Sequence, residues 1–127
     1  MRNIGSPNEK IFGLVLQSLE LLFENCSNIM MNYLESVANV LINLQGVAEV
    51  NIRYKIGRVW MSIIKFNSEV LHFLFENLFN FFIQNLKYEH YELNFNTCDF
   101  FNFLLQDNGA LLKNEKINAL LNNNLSM

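Results

Sequence analysis

VNIRYKIGRVWMSIIKF, residues 50–66, is the stretch on which the fold turns. Ile52, Ile56, Val59, Trp60, Ile63 and Ile64 recur at steps of three and four, which stacks them on one face of an α-helix. The β-branched residues follow the helical step and never alternate at period two, so a strand is excluded. Seventeen residues at 1.5 Å each make a helix about 25 Å long.

Working outward, the same pattern returns on both sides. Ile11, Leu14, Val15, Ser18, Leu19 and Leu22 keep the spacing over 7–25, where Ser6-Pro7-Asn8-Glu9 forms a start signal of the capping-box type. Met30, Tyr33, Leu34, Val37, Leu41 and Leu44 predict a helix over 28–45, with Gly46 as its left-handed stop. Asn67-Ser68-Glu69 breaks the chain ahead of a helix at 69–86. Leu93, Phe95, Phe100, Phe101, Leu104 and Leu105 mark one at 91–106, which Asp107-Asn108-Gly109 ends; a weaker one is expected at 110–122. The breaks are a few residues long, which forces successive helices to run antiparallel.

The helices repeat with a common step. Ile11, Ile52 and Leu93 are 41 residues apart, as are Val15, Ile56 and Thr97, and Leu22, Ile63 and Leu104. The alternate helices agree: Leu34 with Phe75, Val37 with Leu78, Leu41 with Phe82. Two helices per 40–47 residues is the period of HEAT and armadillo arrays. The expected fold is therefore all-α, an α-solenoid of HEAT-type antiparallel hairpins in a right-handed superhelical stack spanning 1–127. In such a stack each hairpin packs only on its neighbours. The chain opens on a lone second helix and closes on an incomplete first one, as a partial array does. Trp60 and Phe101 hold equivalent positions, and both are expected to be buried.

Composition narrows the function classes. Charged residues are 17% of 127, and the net charge is −3. A nucleic-acid binder needs a basic stripe that this balance does not supply. Residues 69–86 are apolar enough to raise a membrane span, but His72, Glu76, Asn77 and Asn80 interrupt the run of about 20 apolar residues that a span needs. Cys26 and Cys98 have no metal spacing and read as buried reduced thiols. His72 and His90 belong to no Cys/His cluster, and no nucleophile elbow, phosphate-cradling glycine loop or paired carboxylates occur. No catalytic, cofactor or metal residues are therefore expected.

Two groups of side chains stand out. Arg53, Lys55 and Arg58 form a basic set on one helix, either a solvated face laddered to acids such as Glu49 or a contact for an acidic partner. Phe73, Phe75, Phe79, Phe81 and Phe82 ring helix 69–86 almost completely, as in a buried helix or one exposing a binding patch.

Set in repeat register, NIMMNYLESVANVLINL (28–44), IRYKIGRVW (52–60), VLHFLFENLFNFFIQ (70–84) and TCDFFNFLL (97–105) resemble the HEAT repeats of transportin-type receptors in the importin-beta (karyopherin-beta) superfamily. The last stretch is similar to that family's Ala-Cys-Glu-Phe-Trp helix. Residues 46–51, GVAEVN, lack the family's acidic loop, and Gly57 stands where it has Cys. The resemblance implies Ran-regulated nuclear import of protein cargo, shuttling between cytoplasm and nucleus, with Ran GTPase and FG nucleoporins as partners. It further implies an FG groove between helices 28–45 and 69–86, with Val37, Leu41, Leu78 and Phe82 on its floor and Phe75 or Phe79 at its rim. Arg53, Lys55 and Arg58 then face an acidic patch on Ran or on an acidic loop. A static HEAT scaffold for protein assembly fits the same residues without import.

Overall fold

The chain's sole proline sets the start of the first helix, where its fixed φ and missing N–H do no harm. A computed structural model describes residues 7–106. Ser6 of the expected cap and the helix expected at 110–122 lie outside the described residues. Among these, every regular element is helical. They are α1 (Pro7–Asn25), α2 (Ser27–Met30), α3 (Leu34–Asn43), α4 (Val50–Phe66), α5 (Val70–Asn85) and α6 (Tyr91–Gln106), with 3₁₀ turns at Met31–Tyr33 and Leu86–Tyr88. The chain divides between Phe66 and Asn67 into two compact units.

In the first unit α1 and α4 lie side by side. The Lys55 side chain crosses Gly13, Glu20 bonds to Arg58, and Ser62 donates to Glu24. These pairs ascend together along both helices, so the two run parallel. The chain must then travel back between them, and residues 26–49 carry α2 and α3. Gly13, Leu16, Glu20 and Phe23 are the buried side of α1. α4 is buried nearly all round, with Ile56, Val59, Trp60, Ile63 and Ile64 fully enclosed.

Gly13 lies inside a helix, where glycine costs about 1 kcal/mol relative to alanine. A Cβ there would stand 3.5 Å from Lys55 Nζ, an ordinary contact with the far end of a flexible side chain. Gly13→Ala is expected to raise the unfolding free energy by about 0.5–1 kcal/mol. Urea denaturation checks this, and a loss of stability would mean that α1 and α4 approach too closely there for a methyl group.

In the second unit α5 and α6 form an antiparallel hairpin. Phe100 stacks on Phe82 with ring centroids 4.5 Å apart and also meets Phe75 at 6.4 Å. Phe101 meets Phe79 edge-on at 5.8 Å. Thr97 Oγ1 donates to the Phe82 carbonyl at 2.9 Å. The turn between them passes through Glu89 at φ 50°, ψ 44°, a left-handed conformation.

Several expectations need correction. The helix expected at 28–45 is broken into α2, a 3₁₀ turn and α3, because Tyr33 leaves helical geometry at φ −110°, ψ 9°. Gly46 is not left-handed; α3 ends at Asn43, and Arg53 Nη1 takes up the Gln45 and Val47 carbonyls at 2.7 and 2.8 Å. Cys26 and Cys98 are exposed rather than buried, one at the α1–α2 break and one on the outward side of α6. Trp60 is fully buried, whereas Phe101 is only half-buried.

The step of 41 reappears in the geometry. α5 also kinks, at Leu74 (φ −117°, ψ 16°), 41 positions after the kink at Tyr33. Some buried positions share the step, as Met30 with Leu71, Ala38 with Phe79, Leu41 with Phe82, Ile52 with Leu93 and Val59 with Phe100, while others break it: Val40 is 49% exposed and Phe81 1%, Ile64 is enclosed and Leu105 72% exposed.

Candidate functional site

Helix α5 holds most of the residues expected to line a groove. Leu78, Phe79 and Phe82 are fully enclosed and Phe75 is 3% exposed. Their rings are committed to α6: Phe82 and Phe75 to Phe100, Phe79 to Phe101. Phe75 and Phe79, expected at a rim, also stack on each other at 5.5 Å. The reason is local. Phe75, Leu78, Phe79 and Phe82 make one continuous stripe, and the antiparallel α6 brings Phe100 over it. Phe73 alone of the aromatic set points outward, 82% exposed. In the first unit Leu41 is fully buried and Val37 half-buried.

The basic set is not a single face. Arg53 is 1% exposed and holds backbone carbonyls at the start of α4, so its charge is turned into the unit. Arg58 reaches across to α1. Its Nε donates to Glu20 Oε2 at 2.8 Å and its Nη2 lies 2.6 Å from the same oxygen. The hydrogen bond to Glu20 pushes the Arg58 guanidinium well above its ordinary pKa, against the opposing effect of burial. The Tyr54 ring lies 5.9 Å from the guanidinium carbon. Lys55 is half-buried over Gly13. Of the three, Arg58 and Lys55 border a polar cleft of about 290 Å³ between α1 and α4, shared with Gln17, Glu20, Glu24 and Tyr54. Two acids and two bases balance there, so the cleft has no strong preference for an acidic partner. The sequence reading missed the Glu20–Arg58 pair. Its signal was a separation of 38 residues, close to the repeat step, between opposite charges on corresponding helices.

An apolar face is left open on α1. Ile11, Leu14, Val15 and Leu22 are 60%, 62%, 49% and 41% exposed. With Ser18 and Leu19 they line a groove of about 370 Å³. These residues were legible as one helical face, yet α4 packs on the other side of α1. The face that binds α4 carries Gly13, crossed by the Lys55 side chain, and Glu20, which bonds to Arg58.

Among the described residues no three His, Cys, Asp or Glu side chains come together as a metal site, and no helix is long and apolar enough to cross a membrane. No protein-family model, curated protein or solved structure matches the chain.

Proposed function

We propose that the chain is a segment of a HEAT-type helical repeat array that works as a protein-binding scaffold. The observation that carries this reading is the 41-residue recurrence of the kink, Tyr33 then Leu74. A bundle without internal repetition has no reason to bend two helices at one register. Arrays of this kind gain stability from nearest-neighbour contacts and present long rows of side chains to other proteins.

The test is equilibrium unfolding followed at two places, Trp60 fluorescence in the first unit and a dye on the exposed Cys98 in the second, with Cys26→Ser to leave one thiol. In a repeat array Phe100→Ala moves the Cys98 transition further than the Trp60 transition. If both move together, the chain is one cooperative globule and the array reading fails.

Ran-regulated import is the more specific proposal, and the resemblance over 28–105 supports it. The buried state of Phe75, Leu78, Phe79 and Phe82 weakens its FG groove, since a nucleoporin ring needs an open floor. Titration with an FG-repeat peptide decides between the two. Saturable methyl shifts at Val37 and Leu78 would favour import, and their absence favours the static scaffold.

A further inference from the structure

We draw no further inference here: the strongest candidate, the open apolar face of α1 over Ile11, Leu14, Val15 and Leu22, carries nothing because nothing among the described residues shows what covers it.

Discussion

Trp60→Ala is expected to lower the unfolding free energy by about 3–5 kcal/mol. The indole is fully enclosed on α4, with Ile56, Val59, Ile63 and Ile64 equally buried on the same helix. Removing it leaves a cavity that close-packed neighbours fill only in part. A domain of this size is stable by about 5–15 kcal/mol, so the loss consumes a large share of the total. Trp60→Phe separates volume from polarity. The indole Nε1 is buried and has no hydrogen-bond acceptor among the described residues. Phenylalanine keeps most of the ring and removes that unpaired donor, so its cost should be less than half that of alanine. Urea titration followed by circular dichroism checks both. An alanine variant within 1 kcal/mol of the parent would place Trp60 outside the interior and break the assigned register.

Phe100→Ala is the corresponding experiment in the second unit, again with an expected loss of about 3–5 kcal/mol. Phe100 is fully buried, stacks on Phe82 at 4.5 Å and meets Phe101 edge-on at 5.6 Å. The stack should add a coupling of its own. A double-mutant cycle over Phe82→Leu and Phe100→Leu is expected to give about 0.5–1.5 kcal/mol beyond the lost area. Strict additivity would show that the two rings share burial but no specific contact.

The sequence alone determined that the chain is helical and where four of its helices lie. The three-and-four spacing of apolar residues leaves a chain little choice but helix, and α1, α4, α5 and α6 begin and end within a residue or two of their expected bounds. Positions 41 residues apart carry similar apolar residues, and at Ile52 and Leu93 or Leu41 and Phe82 both members are buried. Tertiary structure decided which apolar face is covered. Ile11, Leu14, Val15 and Leu22 on α1 carry the same pattern as Ile52, Ile56 and Ile63 on α4, yet one set is open and the other enclosed. Periodicity reports that a face is apolar; only the presence of a neighbouring helix makes it a core. The kinks at Tyr33 and Leu74 were hidden because neither residue type is a helix breaker. The fate of charge was hidden too. Arg53 and Arg58 stand five residues apart on one helix, but the first turns inward to two loop carbonyls while the second crosses to Glu20. A guanidinium is long enough to serve either end, and which partner it meets depends on where the chain brings the loop and α1, which no local pattern encodes.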